Sequence, residues 1–304
     1  MLQSLQYVAL TVPDLAVGEA FYKSMGLQAR EDGAQLAFRC AGREQDQVRL
    51  IEGPAKRIHH VSFGVSANCL PFFVKHLAAG NIPLTDAPLK GHAEGIWFRD
   101  IDGDLINVRE AESKPQVRAP VLLNNAGDFR RISRRGAPDR NIDTHPRRLG
   151  HLLKFTPDVQ RTIDFYTQVV GMRLSDRIGD LAAFLRCAGD SDHHTLAIAR
   201  SEHTGLHHMS FEMGNVDQIQ LGAERMIAAG FRDGWGFGRH IYGSNYFHYI
   251  RDPWNNLVEF FWDIDFIAGD ADWKVENCPP GPDSLYQWAT TPPPDDFLRN
   301  YEVH

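Results

Sequence analysis

From Gly238 to Glu259 the chain reads GRHIYGSNYFHYIRDPWNNLVE, a run of imidazoles and phenols ending in one carboxylate. Tyr246–Arg251 is rich in aromatic and β-branched residues and reads as a strand. Asp252-Pro253-Trp254-Asn255-Asn256 is turn chemistry, with proline setting φ and asparagine tolerating a left-handed backbone. Leu257–Phe261 then reads as the returning strand, with Glu259 between Val258 and Phe260. A carboxylate there is costly to bury unless it is paired, hydrogen-bonded or bound to a metal.

Candidate partners for Glu259 emerge from an internal repeat. TVPDLAVGEAFYKSMGL at Thr11–Leu27 is echoed by TPDVQRTIDFYTQVVGM at Thr156–Met172, AFRCAG at Ala37–Gly42 by FLRCAG at Phe184–Gly189, and IHHVSFGV at Ile58–Val65 by LHHMSFEM at Leu206–Met213. FRDIDGDLINV at Phe98–Val108 matches YIRDPWNNLVEF at Tyr249–Phe260. The order is kept at an offset of about 150 residues, the mark of a duplication. Pairing the halves aligns Tyr7 with His151, His60 with His208, and Asn107 with Glu259. The second half therefore offers His, His and Glu on strands of equivalent sheets. Two imidazoles and one carboxylate on one face of a metal form the facial triad of non-haem Fe(II) oxygenases. The first half lacks two of the three. Strand alternation allows only one histidine of each HH pair to face the site, and His208 takes the place equivalent to His151.

Each half divides again into two units. Gln6–Val12 reads as a strand, Pro13-Asp14 opens a helix to about Met25, and strands follow near Ala34–Cys40 and Val48–Glu52. His59–Val65 restarts the pattern, with a helix near Leu70–Ala79 and strands near Gly95–Arg99 and Leu105–Glu110. The second half restarts from His151 and from His208, with helices near Val159–Val170 and Val216–Ala229. The expectation is an α+β chain of four βαβββ modules in two duplicated domains. Residues 1–115 form the N-terminal pair without metal, 116–147 a linker rich in Pro, Gly, Asn and Arg, and 148–304 the catalytic pair with a C-terminal tail.

Lys and Arg number 32 against 39 Asp and Glu, a formal charge of −7, which argues against nucleic acid as a partner. The basic cluster Arg130, Arg131, Arg134 and Arg135 lies in the linker and reads as solvated or as a subunit contact. Four cysteines without CxxC spacing argue against a disulfide framework. With no visible secretory signal and no membrane-length apolar run, a cytoplasmic setting is expected.

Gly238-x-His240, the aromatic strand with Tyr249, Asp252-Pro253 and Glu259 together resemble the signature of the type I extradiol ring-cleaving dioxygenases of the vicinal oxygen chelate superfamily. The resemblance covers most of the chain. It departs at His248, usually apolar in the family, and at Asn255, usually glycine or proline. It implies Fe(II), with Mn(II) as the other option, held by His151, His208 and Glu259. It also implies a catechol-type diol and O2 as reactants, a muconic semialdehyde-type product, and a homo-oligomer. The segment His193-His194-Thr195 resembles the family's acid–base region, with His194 as the acting residue and Gln47 in its place in the first half. His240 and Tyr249 match a histidine and a tyrosine near substrate and oxygen. His194 is expected to act as general acid near its unperturbed pKa. Trp235, Phe237, Tyr246, Phe247 and Trp254 are candidates for the pocket wall, but aromatic residues in a sheet are more often core, so none is assigned there; the aromatic tail from Val275 is expected to cover the site or a neighbouring subunit. Rival readings within the fold are a glyoxalase-like metal-dependent isomerase or lyase and a metal-free drug-sequestering protein.

Overall fold

The computed structural model describes residues 2–88, 94–111 and 121–302. The first module is β1 (Leu2–Val12), α1 (Leu15–Ser24), β2 (Gln28–Asp32), β3 (Gln35–Arg39) and β4 (Asp46–Glu52). The second is β5 (Arg57–Val65), α2 (Leu70–Ala79), β6 (Leu84–Thr85), β7 (Ile96–Arg99) and β8 (Leu105–Glu110). A small hairpin, β9 (Asn124–Asn125) and β10 (Asp128–Phe129), lies between the halves. The third module is β11 (Arg148–Thr156), α3 (Val159–Asp164), β12 (Arg173–Ile178), β13 (Ala182–Arg186), a short β14 (Ser191–Asp192) and β15 (Leu196–Arg200). The fourth is β16 (Gly205–Glu212), α4 (Val216–Ala228), β17 (Asp233–His240), β18 (Tyr246–Arg251) and β19 (Leu257–Trp262). The tail adds β20 (Phe266–Ile267), β21 (Glu276–Cys278) and β22 (Tyr286–Ala289).

Modules one and two form a sheet in the order β2-β3-β4-β1-β5-β8-β7-β6, and modules three and four one in the order β21-β12-β13-β15-β11-β16-β19-β18-β17-β22. In both, the modules join through their first strands, β1 against β5 and β11 against β16, antiparallel. The βαβββ unit used four times is thus the architecture. Residues 112–120, where the linker begins, lie outside the described part.

Local chemistry explains the boundaries. Asp14, Asp158 and Asn215 cap α1, α3 and α4 by accepting from backbone N–H groups of the first turn. Gly26 and Gly171 follow the helical segments of the first and third modules at φ +91° and +81°, where a side chain would be strained. Past Asp164 the third helix widens into a π-helical turn, Phe165–Val169. The turn after β18 has Asn255 at φ +74°, while Asp252 Oδ1 accepts from Trp254 N and Asn256 N. Among the described residues no helix is long and apolar enough to cross a membrane.

The halves share one apolar core and are locked by buried charge. Lys154 Nζ on β11 lies 2.5 Å from Asp100 Oδ2, 2.5 Å from Asp104 and 3.3 Å from Asp102, all in the turn between β7 and β8. Tyr166 donates to the same Asp100 oxygen at 2.7 Å. On the other side Lys56 lies 3.9 Å from Asp252 and 3.2 Å from Glu302 of the tail. Lys154→Met strands the buried aspartates, so urea unfolding should show a loss of about 3–5 kcal/mol at pH 8. The deficit should shrink as pH falls and protonation neutralises the stranded carboxylates. A loss under about 1 kcal/mol would mean the cluster is not buried as described.

Candidate metal centre

Three neighbouring strands carry the centre. Across β11, β16 and β19 the register aligns His151, Ser210 and Glu259 in one row. Aligned residues share a face of the sheet, and His208, two before Ser210 on β16, shares it too. Glu259 is fully buried. His151 Nε2 lies 3.0 Å and His208 Nε2 3.6 Å from Glu259 Oε2. One ligand atom from each of the three lies within 4.8 Å of the others.

The rest of the carboxylate's surroundings are donors. Ser210 Oγ donates to Oε2 at 2.5 Å and Asn245 Nδ2 to Oε1 at 3.1 Å. No lysine or arginine pairs with Glu259 among the described residues. Burial opposes its ionisation, but hydrogen bonding to His151 and His240 outweighs burial and holds its pKa well below the usual range. A buried anion ringed by two imidazoles and neutral donors has the donor set of a divalent first-row cation, and the residues fit one.

Around the triad, His240 Nε2 lies 2.9 Å from Tyr249 Oη, and His240 Nδ1 donates to Leu285 O at 2.8 Å. Tyr249 stands opposite Glu259 across the β18–β19 pair. Burial pushes its phenol well above the ordinary value, so it stays protonated. The His194 ring lies 4.1 Å from that of His151, centroid to centroid. His194 sits just before β15, ahead of the paired residues, which frees its ring from strand alternation. All six predicted residues therefore meet around one cavity.

Several expectations need correction. His194 is not near its unperturbed pKa: burial, then the neighbouring His151 and His193, depress it well below the ordinary value. Its first-half counterpart is Asp46, not Gln47. Leu152 pairs with Leu196 and Val8 with Val48, which sets Gln47 against Thr195. Gln47 instead bridges the halves, accepting from Leu149 N at 2.5 Å. Alternation does not separate the HH pairs. A bulge in β16 steps the pairing from Leu153–His208 to Lys154–Leu206, and His207 Nδ1 lies 2.6 Å from His208 Nδ1. None of the five candidate aromatics lines the cavity, in line with their being core. Its walls are Leu153, Leu181, Phe184, Ala197, Ala199 and Tyr242, closed by Leu285, Phe297 and Leu298 of the tail. The tail thus covers its own chain's site. His248 points away from the centre, bonding Asp233 at 2.9 Å and Gln220 at 3.2 Å.

In the first half Tyr7 Oη lies 3.1 Å from His60 Nε2, and the Asn107 amide donates to Glu94 O and Ile96 O. The Arg49 guanidinium covers the Tyr7 ring at 4.5 Å, where the second half has Ala197.

Residues 148–260 match the model of the Glyoxalase/Bleomycin resistance protein/Dioxygenase superfamily. Metapyrocatechase 2 of Cupriavidus necator is 38% identical over 302 residues, covering 99% of this chain and 92% of that protein. The chain belongs to the extradiol dioxygenases of the vicinal oxygen chelate superfamily. A second relative of this dioxygenase, biphenyl-2,3-diol 1,2-dioxygenase of Pseudomonas sp. strain KKS102, is 31% identical over 287 residues, 90% and 93% of the two chains. The Mn(II)-bound glyoxalase of Novosphingobium aromaticivorans shares the fold, with TM-score 0.78 at 24% identity over 96% and 93% of the chains.

Ser210 and Asn245 escaped the sequence reading of this dioxygenase, while His193 and His207 were passed over there for their neighbours His194 and His208. Ser210 carried a readable signal, lying two residues beyond His208 on the same strand face. Asn245 follows a turn whose path only the fold reveals. Glu259→Gln keeps the shape and removes the charge. It should weaken Mn(II) binding, measured by chelator competition, by more than the ~10–100-fold typical of losing an outer partner. Unchanged affinity would remove Glu259 from the centre.

Proposed function

We propose that this chain cleaves the ring of a catechol-type diol beside its two hydroxyls with O2, giving a muconic semialdehyde-type product in aromatic-compound catabolism. The observation that carries this reading is the buried Glu259 carboxylate with His151 and His208 turned onto one of its oxygens. In this reading those three hold Fe(II), or Mn(II), which suits the same donors. The bound cation would hold diol and O2 side by side, orienting both and lowering the pKa of a diol hydroxyl.

The chain's own residues supply proton handling and enclosure. His194, neutral because it is buried, is a base before it is an acid. Its Nδ1 is engaged by His193 at 3.0 Å, which leaves Nε2 for the substrate. It takes a diol proton and returns it when an oxygen must leave, the two uses of one general acid–base group. Tyr249, kept protonated, and His240 form a hydrogen-bonding pair beside the reacting atoms. Alanines at 197 and 199 leave room for a flat ring, and the leucines and Phe184 exclude water.

In the same reading residues 1–115 are a domain without metal, 116–147 a linker, and 148–304 the catalytic domain. Exposed Phe129 and Ile132 beside the linker hairpin support self-association. Four free cysteines suit a reducing cytoplasm.

Anaerobic loading with Fe(II), then addition of single-ring catechols and O2, should give a yellow ring-opened product with one O2 consumed per diol. No oxygen uptake across a broad diol panel would favour the glyoxalase-like isomerase. His194→Ala should lower kcat by about 10²–10⁴ while the metal stays bound. Because His194 is depressed, the acid limb of the wild-type rate should lie below the ordinary histidine pKa, and the variant should lack it. An unchanged kcat and pH profile in the variant would remove His194 from the reaction.

A further inference from the structure

His193-His194 and His207-His208 are built alike. In each pair the rings meet through Nδ1, at 3.0 Å and 2.6 Å. A contact between two ring nitrogens gains a direction only when something outside the pair fixes one proton. At His207 something does. Its Nε2 lies 2.6 Å from the main-chain oxygen of Phe297, in the tail. A carbonyl oxygen can only accept, so this nitrogen carries the proton. The His207 ring is buried and its two described hydrogen bonds go to His208 and Phe297, not to a carboxylate. It is therefore neutral, and its Nδ1 holds a lone pair.

That lone pair accepts the Nδ1–H of His208. The remaining nitrogen of His208, Nε2, is then bare, and it is the one 3.6 Å from Glu259 Oε2. A lone pair facing a carboxylate is poor as a hydrogen bond and good as half of a ligand set. The β16 bulge makes the arrangement possible, because it leaves His207 opposite no residue of β11.

We propose that His207 is a positioning residue for the metal centre: the Phe297 carbonyl, acting through His207, sets the tautomer of His208 so that Nε2 is offered to the cation. The proposal rests on the metal reading above. It makes the tail part of the centre through one main-chain oxygen, two side chains from the metal.

The test compares Mn(II) affinity of full-length wild type, His207→Gln and His207→Leu by chelator competition. Glutamine can donate to Phe297 O and accept from His208; leucine can do neither. Wild type and His207→Gln should agree within a few-fold, and His207→Leu should bind about 10–100-fold more weakly. Imidazole ¹⁵N shifts of the metal-free wild type should place protons on His208 Nδ1 and His207 Nε2, a readout that needs no variant to fold. A folded His207→Leu that binds as tightly as wild type overturns the relay. So does a His207→Gln as weak as leucine, or a proton on His208 Nε2. A wild type that binds neither Mn(II) nor Fe(II) overturns the metal reading beneath it.

Discussion

A carboxylate cannot sit inside an apolar sheet on its own. Glu259 occupies the middle of a buried strand, and the cost of keeping it ionised there organises much of what surrounds it. A lysine or arginine partner would neutralise it and close the site. The chain surrounds it instead with groups of weak or no charge: two imidazoles, a serine hydroxyl and an asparagine amide. That leaves a local deficit of positive charge, which a divalent ion would fill.

The duplicated half shows what happens without that constraint. Asn107 replaces the carboxylate, its amide turns to backbone carbonyls, and Tyr7 and His60 satisfy each other. Arg49 occupies the space that Ala197 leaves open in the other half, and Asp46, at the position of His194, gathers Arg30, Arg39 and Arg49. The same four-module frame thus holds a self-satisfied polar cluster on one side and an open donor set on the other. The first half keeps a structural task, since its turn aspartates grip Lys154 on the strand that carries His151.

The repeat made the fold legible, because each strand has a counterpart and the module order survives duplication. It also pointed to the triad, since Tyr7 and Asn107 of the first half give way to His151 and Glu259, while His60 keeps its place as His208. What stayed hidden depends on local irregularity. The bulge at His207 defeats the alternation argument, and the one-residue offset between Gln47 and His194 emerges only once strand pairing sets the register. Pocket walls stayed unassigned in the sequence because aromatic residues in a sheet pack behind the site as readily as in front of it. Trp235 and Phe247 support Tyr249 from behind, while small alanines make the space. The tail's role rests on main-chain oxygens at Leu285 and Phe297, which side-chain patterns do not reveal.

Anomalous diffraction from crystals soaked with Mn(II) without oxygen addresses the centre of this account most directly. A single strong peak per chain is expected, about 2 Å from nitrogen atoms of His151 and His208 and an oxygen of Glu259. A peak only at the Asp100–Asp104 turn, or no peak in that row of strands, would contradict it.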